Sequence, residues 1–306
     1  MAELILDPLK SNKLYGLTNY FRKFITLYKK NKLPKVNLIS GVKGLGKFTL
    51  INHLINYILD EKYYDIENQE INVNSFTYKG IIAKTFSNVI ILNKAKIEDI
   101  RNLNSNLLKS TLDERPRFII LDNVDTYNLN SLNASLKFLE EPGDKIFFFL
   151  INNKENKLLE TISSRCLETR IFLKKKEKLD IIKSLSSMHN VNIILDFINS
   201  DISPGNFIKF NLLAGDNNIA KNDDHLTRII KCLNLYKKTK ELAFINLSNF
   251  FIDQYYYILS TKNKYNIFQL NTDKRNALIS INHLTNYNLN VNSVINSISK
   301  NNYYEQ

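Results

Sequence analysis

The sequence predicts an α/β fold, a parallel sheet covered on both faces, followed by a chain that is helical only. Apolar strands alternate with amphipathic helices up to about residue 172, the pattern of strand-helix-strand crossovers. A glycine-rich loop joins the first clear strand to its helix, and beyond residue 172 no further strand pattern appears.

Val36 to Ser40 reads as a short buried strand, and Ile51, Leu54, Ile55, Ile58 and Leu59 repeat at helical spacing after the loop. Asp60 to Gly80 is polar and poorly periodic. Asn88 to Leu92 predicts a second strand, and Ile97, Ile100, Leu103, Leu107 and Leu108 an amphipathic helix. Phe118 to Leu121 is a third apolar strand. A helix over Leu129 to Glu140 ends at Pro142 and Gly143, ahead of a strand at Ile146 to Ile151. Lys174 to Lys178 reads as a basic hinge, Ser203-Pro204-Gly205 as a break in a small helical unit, and Tyr255, Tyr256 and Tyr257 as an aromatic cluster in a last helical domain. The division expected is 1–172, 173–215 and 216–306.

The 306 residues carry a formal net charge of +12. Clustered Lys and Arg would favour a nucleic acid through counterion release, but the Asn-, Lys- and Ile-rich composition explains the charge equally well. Cys166 and Cys232 are too few for a disulfide framework or a four-thiolate zinc site, as suits a reducing cytoplasm. The first ten residues lack a basic stretch followed by a long apolar run, and no segment is long enough to span a membrane. A cytoplasmic protein without a membrane partner is expected.

Gly41-Val42-Lys43-Gly44-Leu45-Gly46-Lys47, between strand and helix, is a phosphate-loop pattern. Gly41, Gly44 and Gly46 would let backbone N–H groups face phosphates, with Lys47 and the helix N-terminus adding positive charge. The next position, where an active loop needs a hydroxyl for magnesium, is Phe48. Thr49 is one helical step on, a turn of roughly 100°, and points elsewhere. Asp122, ending the third strand, could still organise magnesium. Its neighbour Asn123 cannot take a proton from water as a glutamate would. Either a structural turn or residual ATP/ADP binding without turnover remains open.

Downstream, Asn133-Ala134-Ser135-Leu136-Lys137-Phe138-Leu139-Glu140-Glu141-Pro142 is followed by Leu158-Leu159-Glu160-Thr161-Ile162-Ser163-Ser164-Arg165-Cys166. With the phosphate loop and the Asp122 strand, in this order, these segments resemble those of bacterial DNA polymerase III clamp-loader subunits, which are AAA+ modules. Tyr287-Asn288-Leu289-Asn290 and Val294-Ile295 weakly resemble the family's C-terminal end. Phe48 and Asn123 match the delta-prime branch rather than the gamma/tau subunits, which keep the hydroxyl and the glutamate. Asn206 falls where active relatives carry a sensor arginine.

The resemblance implies an AAA+ module, a helical lid and a helical collar, without ATPase activity of its own. It implies a ring with delta and gamma/tau subunits that loads the beta sliding clamp onto primed DNA. Many relatives carry a cysteine-rich zinc insertion, but Asp60 to Lys96 has no cysteine, so no zinc and no required cofactor are expected. Arg165 is implied to be an arginine finger that stabilises charge on a neighbour's γ-phosphate. Its bland alternative is a surface ion pair with Glu168 or another acid. Cys166 reads as packing, Glu140 and Glu141 as braces of a helix end, and His53, His189, His225 and His283 as residues without metal-ligand spacing. Two rivals stand beside this reading: an active gamma-like ATPase, and a DNA-binding scaffold in which Arg165 is inert.

Overall fold

The structure, a computed structural model, describes residues 6–107, 115–197, 202–219, 222–262, 265–287 and 289–300. Leu108, of the helix expected after the second strand, and Asn288 lie outside them. The chain divides into two compact units, Met1–His189 with Ser203–Asn206, and Asn190–Ile202 with Phe207–Gln306.

The first unit is built on a five-stranded sheet. In chain order its elements are α1 (Thr18–Lys29), β1 (Val36–Ser40), α2 (Lys47–Leu59), the two-residue strands β2 (Tyr64–Asp65) and β3 (Glu70–Ile71), α3 (Phe76–Ile82) and β4 (Val89–Asn93). There follow α4 (Ile97–Leu107), β5 (Arg117–Asp122), α5 (Leu129–Glu140), β6 (Ile146–Asn152), α6 (Glu160–Ser163), β7 (Leu167–Arg170) and α7 (Lys175–Met188). The large sheet runs β4-β5-β6-β1-β7 with every neighbouring pair parallel. This is the α/β arrangement that the resemblance to AAA+ modules implies.

Period-two alternation explains why the strands read as unbroken apolar runs. Phe118, Ile120, Phe147, Phe149 and Ile151 enter one buried cluster with α1 and α2, while Ile119, Leu121, Phe148 and Leu150 enter another with α4 and α5. Fully burying one such side chain contributes roughly 1.5–3 kcal/mol, so both faces of the sheet are anchored. The register puts Ser40 opposite Asn152 and Asn93 opposite Asp122. The carboxyl ends of β1, β4, β5 and β6 therefore share one edge, where open α/β sheets bind ligands.

Elements α1, β2, β3, α3 and β7 escaped the sequence reading. Helix α1 buries Phe21, Phe24 and Ile25 at helical spacing; β2 and β3 make a short antiparallel pair in the stretch Asp60 to Gly80, read as polar and poorly periodic, and α3 begins within it. Strand β7 buries only Thr169 of its four residues. The basic hinge is corrected: Lys175–Lys178 form the first turn of α7, where the Lys174 N–H donates to Glu177 Oε2 at 2.6 Å. A carboxylate on a free N–H at a helix start is stabilising, so Glu177 rather than the lysines decides the conformation.

The second unit holds α8 (Pro204–Asp216) from Phe207 onward, α9 (His225–Thr239), α10 (Leu242–Thr261), α11 (Ile267–Asn286) and α12 (Val291–Lys300). Leu233, Leu247, Phe251 and Ile281 are fully buried among these helices. Of the expected aromatic cluster, Tyr255 and Tyr256 are buried, their rings 5.3 Å apart. No helix among the described residues is long and apolar enough to cross a membrane.

Candidate functional site

The phosphate loop leaves β1 at Gly41 and enters α2 at Lys47, with Gly46 at the helix N-cap. Lys47 is 3% exposed, and its Nζ donates to the carbonyl oxygens of Gly41 at 2.7 Å and Val42 at 2.9 Å. Burial pulls its pKa down to about 8, against the opposing pull of Asp122 and Asp125. Two of the three N–H donors of the ammonium are thus engaged by its own loop.

A second set of contacts closes the loop from the start of α8. Ser203 Oγ donates to Lys43 O at 2.6 Å, Asn206 Nδ2 to the same oxygen at 3.2 Å, and the Gly205 N–H to Gly44 O at 3.0 Å. Ser203 precedes Pro204, the first residue of α8, and its Oγ also accepts from the Asn206 N–H at 3.4 Å. Proline suits that first position because its missing N–H would be unpaired there anyway. The fit depends on two glycines. A Cβ on Gly44, whose φ is +85°, would lie 2.4 Å from Ser203 Oγ, and one on Gly205 would lie 2.9 Å from Gly44 O.

Phe48 is half-buried and packs against the α1–α2 side of the core; Thr49 follows it on α2, also half-buried. An aromatic ring there offers no oxygen to a cation, so the residues present do not supply the hydroxyl through which an active loop holds magnesium.

At the end of β5, Asn123 has a left-handed backbone, φ 55°. Its Nδ2 donates to Asn93 Oδ1 and to Asp122 Oδ2, both at 3.1 Å, and its Oδ1 accepts from Asn153 Nδ2. Asparagine tolerates that conformation better than most residues. These amides tie the ends of β4, β5 and β6 together. Asp122 is raised above the ordinary aspartate pKa by burial, with the Asn123 backbone N–H and Lys47 opposing. Asp125 binds the next turn by accepting N–H groups of Asn153 at 3.1 Å and Glu155 at 2.7 Å. The sequence reading missed Asn93, Asn153 and Asp125 as partners; their position just after apolar strands was the available signal.

Arg165 lies apart from the loop, after α6. Its Nε donates to Glu140 Oε1 at 2.8 Å, Nη2 lies 2.6 Å from the same oxygen, and Nη1 donates to Thr161 O at 2.8 Å. The surface acid is therefore Glu140, at the end of α5. Glu168 accepts instead from Ser40 Oγ at 2.5 Å and Arg170 Nε at 3.0 Å. Cys166 Sγ donates to Ile162 O at 3.1 Å, and burial pushes its thiol up to about 12.

His53 is fully buried, its Nδ1 2.9 Å from Tyr64 Oη and its Nε2 3.1 Å from Ser11 O. His189, His225 and His283 lie on or beside α7, α9 and α11. Among the described residues no three His, Cys, Asp or Glu side chains are grouped to hold a metal ion.

The model of the family described as DNA polymerase III, delta subunit, matches residues 16–177. DNA polymerase III subunit delta' of Buchnera aphidicola subsp. Schizaphis graminum is 31% identical over 226 residues, which are 71% of this chain and 67% of that protein. DNA polymerase III subunit gamma of the same organism is 24% identical over 264 residues, 81% of this chain and 68% of that protein. A solved gamma subunit-related protein of Thermotoga maritima aligns with TM-score 0.47 and 16% identity, over 92% of this chain and 99% of that one. The family match spans more than half of the chain and the delta' relative is matched over two thirds of its length, so the chain belongs to the DNA polymerase III delta-prime family of clamp-loader subunits.

Proposed function

We propose that this chain is the non-catalytic delta-prime subunit of a clamp loader, with its own nucleotide site degenerate and Arg165 given in trans to a neighbouring ATPase. The observation that carries this reading is Phe48, an aromatic ring packed against the core at the position where an active loop holds magnesium through a hydroxyl. Phe48 and Asn123 remove the metal-binding hydroxyl and the proton acceptor, so binding and chemistry are impaired by separate residues.

In this reading residues 1–172 are the AAA+ module, 173–215 the lid and 216–306 the collar. The partners are delta and gamma/tau subunits, and through the complex the beta sliding clamp and primed DNA, in the cytoplasm. Neither zinc nor bound nucleotide is required. Arg165, exposed enough to be reached from outside, would meet the γ-phosphate in a neighbour's site, where such a finger is worth about three to five powers of ten in turnover.

A gamma-like ATPase is the second reading, favoured by the span of the match to the gamma subunit. It requires Thr49 and another acid to replace the lost groups. The test is steady-state ATP turnover by the chain alone, by the reconstituted assembly, and by the assembly carrying Arg165→Ala. The proposal expects a silent chain and a weakened variant assembly. Turnover by the chain alone would favour the gamma-like reading, and an unaffected variant assembly would leave a scaffold, whose direct DNA binding should fall steeply with salt.

A further inference from the structure

We propose that Glu140 is the positioning residue of Arg165, presetting its guanidinium for the partner's phosphate; this rests on the finger reading above. The geometry is specific to one edge of the side chain. Nε and Nη2 converge on the single oxygen Glu140 Oε1, at 2.8 and 2.6 Å, and Nη1 is tied to the Thr161 carbonyl at 2.8 Å. A guanidinium has five N–H donors, one on Nε and two on each terminal nitrogen. These contacts use one donor on each nitrogen. What remains is one N–H on Nη2 and one on Nη1, the latter with a long bond to Ser164 Oγ at 3.5 Å as its one further partner among the described residues. That pair is the fork that grips a phosphate bidentately.

Glu140 is well placed to do this from a fixed base. It is the last residue of α5, whose Leu139 is buried and whose Phe138 ring stacks on Phe148 of β6, 5.2 Å between centroids. Arg165 follows the short α6, held by Ile162, which is fully buried. Each partner is thus braced by the sheet, while the pair itself stays partly exposed, at 35% for Arg165 and 48% for Glu140. An ion pair so exposed adds little to stability. Its effect is orientational: it fixes rotatable bonds of a long side chain before the neighbour's phosphate arrives, and misplacement of a reacting group is costly.

The experiment is single-turnover ATP hydrolysis by the reconstituted assembly carrying Glu140→Ala, Glu140→Gln, Arg165→Ala or both Glu140→Ala and Arg165→Ala. Glu140→Ala is expected to lower the single-turnover rate at saturating ATP about tenfold with its ATP dependence little changed, against a loss of roughly a thousandfold or more for Arg165→Ala. Glu140→Gln recovers most of the rate, because one amide oxygen can accept both N–H groups. In the double variant the Glu140 effect disappears, as it must if it acts only through Arg165. An unchanged or faster Glu140→Ala assembly, or an effect that persists without Arg165, overturns the proposal. An Arg165→Ala assembly at full rate overturns the finger reading itself, so the two failures are distinct.

Discussion

Ser203 Oγ donates to the carbonyl oxygen of Lys43 across 2.6 Å, joining the start of α8 to a loop 160 residues earlier in the chain. That loop has the glycine pattern for holding phosphate, and side chains and an N–H of the protein itself brace it through its carbonyls. The bracing is a matter of packing, and packing can be tested.

Gly205 lies in the first turn of α8, where replacement of an unobstructed glycine by alanine would stabilise the helix by about 1 kcal/mol. Here the new Cβ would come 2.9 Å from Gly44 O and 3.3 Å from Gly44 Cα. Both are backbone atoms that cannot swing aside. Gly205→Ala is expected to lose roughly 1–3 kcal/mol, read as a lower denaturation midpoint. A gain would mean that α8 does not rest on the loop.

Acid should weaken the first unit through His53. Burial lowers its pKa from 6.5 to about 4, with the Ser11 carbonyl opposing. The unfolded chain takes the proton more readily, so the stability contribution is complete above pH 6.5 and is lost as pH falls towards 4. The difference amounts to about 3 kcal/mol. Urea midpoints between pH 7 and 4.5 should fall more steeply for the wild type than for His53→Gln; equal slopes would exclude His53 as the source.

Neither cysteine should react in the folded protein. Cys166 and Cys232 are both pushed up to about 12 by burial, so almost no thiolate forms near pH 8. A disulfide reagent should titrate two thiols in denaturant, from the two cysteines of the sequence, and label the native chain slower by orders of magnitude. Rapid labelling of Cys166 would show that the segment carrying Arg165 opens.

The large sheet was legible because its central strands are buried on both faces, and runs such as Phe118 to Leu121 have no other soluble use. Strand β7 was not, because Leu167, Glu168 and Arg170 are exposed and an edge strand needs no apolar pattern. Helix α1 carried its signal in Phe21, Phe24 and Ile25, which the reading passed over. At the loop, Phe48 and Asn123 mark the missing groups from sequence alone. What Lys47 bonds to instead depends on how the loop folds back, and the contact of Asn206 with Lys43 joins residues 163 positions apart. The Arg165 pair was anticipated in kind but not in partner: Glu168 is nearer in sequence, yet Ser40 and Arg170 engage it.

The measurement that bears most directly on the account is the first-turnover rate of ATP hydrolysis in the assembled loader at saturating ATP, compared between the wild type and Arg165→Ala. Saturation removes differences in binding, and a first turnover separates hydrolysis from product release. The account predicts that one phase of the first turnover, that of the site adjoining this subunit, slows by about three powers of ten or more. A first turnover with no phase slowed would contradict it and leave Arg165 as a surface residue paired with Glu140.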